Sequence, residues 1–183
     1  MKITGTKLSG CYILEAKKFE DERGFFFESF NVRTFQELTK SDTCFVQDNQ
    51  SFSKKGVVRG LHAQKGDHAQ AKLVRVLAGT VLDVAVDMRE NSATFGEHVA
   101  VELSSDNGKQ LFVPRGFLHG FAVLSDSATF FYKCDNYYHK DSEWGIRFDD
   151  STLCIDWQLS SDRLIVSEKD LLLPAFKDIY KGE

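Results

Sequence analysis

Alternation with a period of two is the feature that most restricts the fold of this chain. Leu82, Val84, Val86 and Met88 are separated by Asp83, Ala85 and Asp87, and Val99, Val101 and Leu103 by Ala100 and Glu102. Successive side chains of a strand point to opposite faces, so each run predicts a strand with one buried face. Ala78-Gly79-Thr80 and Asp106-Asn107-Gly108 punctuate such runs as turns. Many short strands at a spacing of roughly 8–12 residues, with few helices between them, predict a sandwich or barrel. The 13% aromatic share, 16 Phe among it, leans the same way. Two short helices interrupt the pattern. One spans residues 32–40, where Phe35 and Leu38 are three apart. The other lies in Ser167-Glu-Lys-Asp170-Leu-Leu-Leu-Pro174, with Ser167 as N-cap and Asp170 as the acid of a capping box.

A chain of 183 residues suits one domain, 1–183, with a sizeable core. With only Pro114 and Pro174, no proline-rich hinge divides it, and no repeat or low-complexity tract occurs. A net charge of −4 argues against general nucleic-acid binding. No apolar stretch approaches the length of a membrane span, and Met1-Lys-Ile-Thr-Gly-Thr-Lys lacks the apolar run of a signal peptide. Cys11, Cys44, Cys134 and Cys154 are scattered without a CxxC pair, so reduced thiols and a cytoplasmic location are expected.

Residues 44–134 fit a jelly roll, and Gly108-x5-Pro114-x-Gly116-x2-His119 matches the second motif of the cupin superfamily. That spacing predicts a hairpin end with a tight Pro/Gly turn that aims His119 into a barrel. Upstream, Arg59-Gly-Leu-His62-Ala-Gln64 is followed by Lys72. A histidine moves protons near neutral pH, a lysine can hold a developing oxyanion, and an arginine can clamp a phosphate. Tyr132, in Phe130-Phe-Tyr132-Lys, offers a phenol as an acid on the opposite side. These parts suit proton abstraction next to a ketone on a phosphorylated substrate. The first cupin motif departs from a metal site, because His62 is followed by Gln64 and not by a second histidine. His62, His119 and His68 supply imidazoles, but no carboxylate stands at the matching spacing, so no metal is expected. No GxGxxG follows a strand, so no nicotinamide is expected either. Taken alone, Tyr132 suits the core, Asp170 a helix turn, and His68, His98 and His139 a solvated or structural role. Phe25-Phe26-Phe27 suits core and interface, Asp149-Asp150 a turn, and Tyr137 packing.

Several ordered segments resemble the dTDP-4-dehydrorhamnose 3,5-epimerase family. They are Asp21-Glu-Arg23-Gly-Phe-Phe26-Phe-Glu28-Ser-Phe, Phe45-Val-Gln47-Asp-Asn49-Gln-Ser51, Val58-Arg59-Gly-Leu-His62, Gln70-Ala-Lys72-Leu-Val, Gly116-Phe-Leu-His119-Gly-Phe and Tyr132-Lys-x3-Tyr137-Tyr138. Glu143 and Lys169-Asp170 complete the set. Ala63 stands where the family usually has an aromatic, and Arg115 where an acid is common, which bears on substrate contacts rather than on the catalytic positions.

The resemblance implies a mainly β, cupin-type jelly roll acting without cofactor on dTDP-4-dehydro-6-deoxy-D-glucose. It implies that His62, paired with Asp170, abstracts protons at C3 and C5. Lys72 holds the enolate oxygen and Tyr132 returns a proton to the opposite face. It assigns Arg23, Arg59 and Lys169 to the diphosphate or nucleotide. Glu28, Gln47, Asn49, His119 and Glu143 add hydrogen bonds, and Tyr138 stacks on thymine. It also implies a homodimer in which the segment from Arg23 to Glu28, Phe26 included, reaches the partner's site. The rival readings are an epimerase of one carbon only or of another nucleotide sugar, a 3,4-ketoisomerase, and a non-catalytic binding module.

Overall fold

The computed structural model describes residues 1–180. In chain order the elements are β1 (Lys2–Gly5), β2 (Tyr12–Glu15), β3 (Phe19–Asp21), β4 (Gly24–Phe26), α1 (Val32–Thr39), β5 (Gln47–Lys54) and β6 (Val58–Gln64). Then come β7 (Lys72–Ala78), β8 (Thr80–Asp87), β9 (His98–Ser104), β10 (Lys109–Val113), β11 (Phe117–Val123), β12 (Ser127–Cys134) and β13 (Glu143–Gly145). The chain closes with the short helices α2 (Glu168–Leu171) and α3 (Phe176–Ile179).

A six-stranded sheet, ordered β1-β2-β10-β7-β12-β5, faces a five-stranded sheet, ordered β13-β6-β11-β8-β9. The strand pairs of both sheets are antiparallel. This is the sandwich expected of the alternation, mainly β and cupin-like as the Gly108–His119 motif suggested. The turns at Gly79 and at Asp106–Gly108 fall where expected, and each passes the chain from one sheet to the other. The Pro114–Gly116 turn does the same. It joins β10 and β11, which belong to different sheets, and so is not the hairpin end that its spacing suggested. Gly116, at φ 84, provides the left-handed backbone there.

The interior between the sheets is filled by Val74, Val76, Leu111, Val113, Phe130, Ala85, Phe117, Phe121 and Val123. A second core lies on the far side of the five-stranded sheet. There Val58, Leu82, Val84, Val86, Leu118 and Ala122 meet Ile146, Phe148, Leu153 and Trp157 from the C-terminal segment. This corrects the expectation for β8. Leu82, Val84 and Val86 are buried as predicted, but Asp83, Ala85 and Asp87 are fully buried as well. The C-terminal segment roofs the outer face, so the carboxylates of β8 lie within the protein. α1 packs Phe35 on the outer side of the six-stranded sheet against Leu14, Leu73 and Phe112. Asn31 caps it by accepting from the Arg33 and Thr34 N–H groups at 3.1 and 3.3 Å.

Two glycines set the position of the strand that carries His62. β6 and β11 slip register between His119 and Phe121, and Gly60 and Gly120 meet back to back there. A Cβ on Gly120 would stand 2.6 Å from the Arg59 carbonyl oxygen and 3.1 Å from Leu61 Cδ2. Gly120→Ala is therefore expected to push β6 outward and to destabilise by about 1–3 kcal/mol, the usual scale of overpacking. Thermal unfolding reads this directly, and an unchanged midpoint would mean that β6 yields without loss.

Candidate active site

A cleft lined by strands of both sheets has two lobes, about 640 and 330 Å³, that share Asn49, His62, Lys72 and Tyr132. His62 comes from β6 of the five-stranded sheet, Lys72 and Tyr132 from β7 and β12 of the six-stranded sheet. The imidazole thus faces the ammonium and the phenol across the space between the sheets. Alternation places them: Lys72 and Cys134 are cross-strand partners, as are Tyr132 and Val74. The Lys72 Nζ lies 5.9 Å from the centroid of the Tyr132 ring.

His62 Nε2 is 2.8 Å from Oδ1 of buried Asp170, which also accepts from the Gly60 N–H at 3.4 Å through Oδ2. An ionised carboxylate only accepts, so Nε2 carries the proton and Nδ1 keeps its lone pair for the cleft. Burial pulls the His62 pKa below the ordinary imidazole value, and the charge of Asp170 opposes this only in part. The ring is therefore neutral, the form a base requires. The N-cap expected of Ser167 is present, its hydroxyl accepting from the Asp170 N–H at 3.2 Å. The Asp170 carboxylate does not return to the helix as a capping-box acid would. It is spent on His62.

Burial also lowers the Lys72 ammonium and raises the Tyr132 phenol. Among the described residues Lys72 has no ion-pair partner, which leaves its charge available to a ligand oxygen. A tyrosine with a raised pKa keeps its proton and can donate it.

Around these three groups the structure brings together most of the other expected residues. Arg59 reaches the larger lobe and donates through Nε to Ser53 Oγ at 3.1 Å. Gln47 Nε2 donates to Asn49 Oδ1 at 3.0 Å. Glu143 accepts from Lys169 Nζ at 2.6 Å and from the Tyr138 hydroxyl at 2.7 Å. Burial pushes the Glu143 carboxyl up, but these two bonds outweigh it and hold the group below the ordinary range. Arg23, Phe26 and Glu28 stand apart. Arg23 pairs with Asp21, Phe26 is 72% exposed on the β3–β4 arm, and Glu28 accepts from Asn31 at 3.2 Å. None of the three lines the cleft of its own chain.

His119 faces His62 across β6 and β11, and its Nε2 lies 2.9 Å from Asp83 Oδ1. Alternation alone assigns Asp83 to a solvent face, whereas it is fully buried beside His119. Its signal was a pair of aspartates, Asp83 and Asp87, set in an otherwise apolar strand. The second oxygen of Asp83 is buried with no hydrogen-bond partner among the described residues. Among the described residues no three His, Cys, Asp or Glu side chains converge as a metal cage. His68 does not line the cleft and stacks on His139 with centroids 4.1 Å apart. Of the two departures, Ala63 lines the smaller lobe opposite Trp144. Arg115 lies outside the cleft, donating to Asp135 at 2.8 Å. No helix among the described residues is long and apolar enough to cross a membrane.

A family model described as dTDP-4-dehydrorhamnose 3,5-epimerase matches residues 5–178. The Escherichia coli (strain K12) dTDP-4-dehydrorhamnose 3,5-epimerase is 52% identical over 170 residues, covering 93% of this chain and 91% of the relative. A crystal structure of the Elizabethkingia anophelis enzyme of that name superposes with a TM-score of 0.94 at 58% identity, covering 97% of each chain. The Legionella pneumophila dTDP-6-deoxy-D-glucose-3,5-epimerase, solved with dTDP-4-keto-L-rhamnose, superposes at 0.93 with 48% identity over 98% of this chain and 95% of that one. The residues of the cleft, the fold that carries them and these likenesses agree: the chain belongs to the dTDP-4-dehydrorhamnose 3,5-epimerase family.

Proposed function

We propose that this chain converts dTDP-4-dehydro-6-deoxy-D-glucose to dTDP-4-dehydro-L-rhamnose by inverting C3 and C5. The observation that carries the reading is the His62–Asp170 pair, at 2.8 Å, facing Lys72 and Tyr132 from the opposite sheet. His62 Nδ1 takes the proton of C3 or C5, both of which adjoin the C4 ketone. The electron pair left behind moves into a new carbon–carbon double bond, and the charge settles on the C4 oxygen. The Lys72 ammonium stabilises that oxyanion inside the cleft. Tyr132 delivers its phenolic proton to the other face of the same carbon, which inverts it; the phenolate then regains a proton from solvent and the His62 imidazolium gives one up, so both groups are reset. Asp170 stabilises the imidazolium formed at His62. Electrons begin and end on the sugar, so the reaction needs no redox partner.

Lys169, Glu143 and Tyr138 hold the nucleotide end, with Arg59, His119, Gln47 and Asn49 along the cleft. Arg23, Phe26 and Glu28 act in the cleft of a second copy, in a homodimer whose β3–β4 arms cross over. Phe19, Phe25 and Phe26 are 55%, 58% and 72% exposed on that arm, apolar surface that a partner would cover. The chain acts as one domain. The free thiols Cys44 and Cys154, both exposed, suit the reducing conditions of a cytoplasmic enzyme.

Proton NMR of the substrate with this protein in D₂O tests the activity. Deuterium is expected at both C3 and C5, with turnover to rhamnose once a reductase is added. Exchange at one carbon only would reduce the chain to a single-centre epimerase. A 3-keto product would mean a ketoisomerase, and exchange at neither carbon would leave a binding module.

A further inference from the structure

Gln64 occupies the position after His62-Ala63 at which a metal-binding cupin carries its second histidine, and the proposed chemistry leaves it unused. It is a buried residue on the strand of His62. Its Nε2 donates to the His139 carbonyl oxygen at 2.9 Å, and its Oε1 accepts from the His139 N–H at 2.8 Å. A primary amide presents an N–H and a carbonyl oxygen side by side, and here the two grip the backbone of one residue, His139, in the loop that follows β12.

The residue before His139 is Tyr138. Its hydroxyl is tied to Glu143, and Glu143 is the cross-strand partner of Gln64 in the β6–β13 ladder. The contacts therefore close a ring: Gln64 to the backbone of His139, Tyr138 to Glu143, and Glu143 back to Gln64. Other contacts hold the same loop from the front, with Gln70 donating to the Asn136 carbonyl at 2.7 Å and Asn136 donating to the Asp67 carbonyl at 2.9 Å. Within this frame Tyr138 stays 55% exposed. An exposed ring held at its backbone and at its hydroxyl is a preformed flat surface.

We propose that Gln64 is a positioning residue for the nucleotide end of the substrate, acting through Tyr138. The proposal rests on the reading of Tyr138 as the surface on which the thymine stacks. The strand that supplies the base thereby also sets the distance from His62 to the nucleobase platform. Preorganisation lowers the cost of binding, because an immobile side chain has no rotamer freedom left to lose. Losing it at one residue corresponds to about three- to tenfold in affinity.

A double-mutant cycle on dTDP binding, read by isothermal titration calorimetry, tests this with Gln64→Ala, Tyr138→Ala and the pair. Gln64→Ala is expected to weaken dTDP by about three- to tenfold and to place most of its kinetic loss in KM. In the Tyr138→Ala background the same substitution is expected to change dTDP affinity little. Should Gln64→Ala fold poorly, Gln64→Glu keeps the size and the acceptor but sets an oxygen against the His139 carbonyl, and the same weakening is expected. Tyr138→Ala with full dTDP affinity would overturn the stacking reading, and the positioning role with it. Weakening by Tyr138→Ala but none by either Gln64 variant, or equal losses from Gln64→Ala in both backgrounds, would overturn the positioning role alone.

Discussion

His62→Ala is expected to abolish proton exchange at both C3 and C5, lowering kcat/KM by about 10²–10⁴, the usual worth of a positioned acid or base. One imidazole serves both carbons in the proposed mechanism, so both should fail together. dTDP affinity should stay nearly unchanged, because the role proposed for His62 is on the sugar carbons and that proposed for Tyr138, Glu143 and Lys169 is on the nucleotide. The substitution leaves the buried Asp170 carboxylate without its partner, which itself destabilises. His62→Gln, which keeps an amide donor for Asp170, separates that effect from loss of the base. The pH profile adds a second check. Burial holds the His62 pKa below the ordinary imidazole value, so the base loses its proton, and kcat/KM rises, at a pH below that value. The activity that remains in either variant should lack this acidic limb. Exchange at the normal rate in both variants would remove His62 from the mechanism.

Tyr132→Phe is expected to separate the two halves of the reaction. Deuterium should still wash in at C3 and C5, because His62 can remove a proton and return one from solvent to the same face. Inversion should fall by about 10²–10⁴, since the group that protonates the opposite face is gone. The ring itself is half-buried against the core around Phe130, and phenylalanine preserves that packing. Any large loss therefore belongs to the hydroxyl. Burial keeps the phenol protonated well above neutral pH, which suits a donor. Stereochemistry of the recovered sugar, followed by NMR beside the exchange rate, decides the matter. Inversion at the normal rate would assign the acid to another residue.

His62, Lys72 and Tyr132 were legible as chemistry in the chain, because their types and their place in strands already suit enolate formation. That His62 and Tyr132 come from opposite sheets was not legible. Local alternation says which residues share a face of a strand, but it does not say which strands form a sheet. The same limit explains Pro114–Gly116, whose turn was recognised and whose role as a passage between sheets was not. It explains Asp83 too. An aspartate at an alternate position of an apolar strand reads as solvent-facing until the residues from Ile146 to Trp157 are seen to cover the other side of that sheet.

Asp170 shows the same division within one residue. Its place in a capped turn was read from Ser167 and the acid three positions on, a local rule with a local cause. Its carboxylate answers instead to His62, 108 positions away, because a buried charge must find a partner wherever the fold supplies one. The sequence by itself determined the β class, the short helices, the family resemblance and the residue types of the chemistry. These depend on spacing, turn preference and side-chain chemistry, all of which are local. The tertiary structure decided that both faces of β8 are buried, that Asp83 supports His119, that Gln64 grips His139, and that the Arg23–Glu28 arm lies outside its own chain's cleft. Each of those depends on contacts between distant segments, and burial and close approach between such segments exist only once the chain is packed.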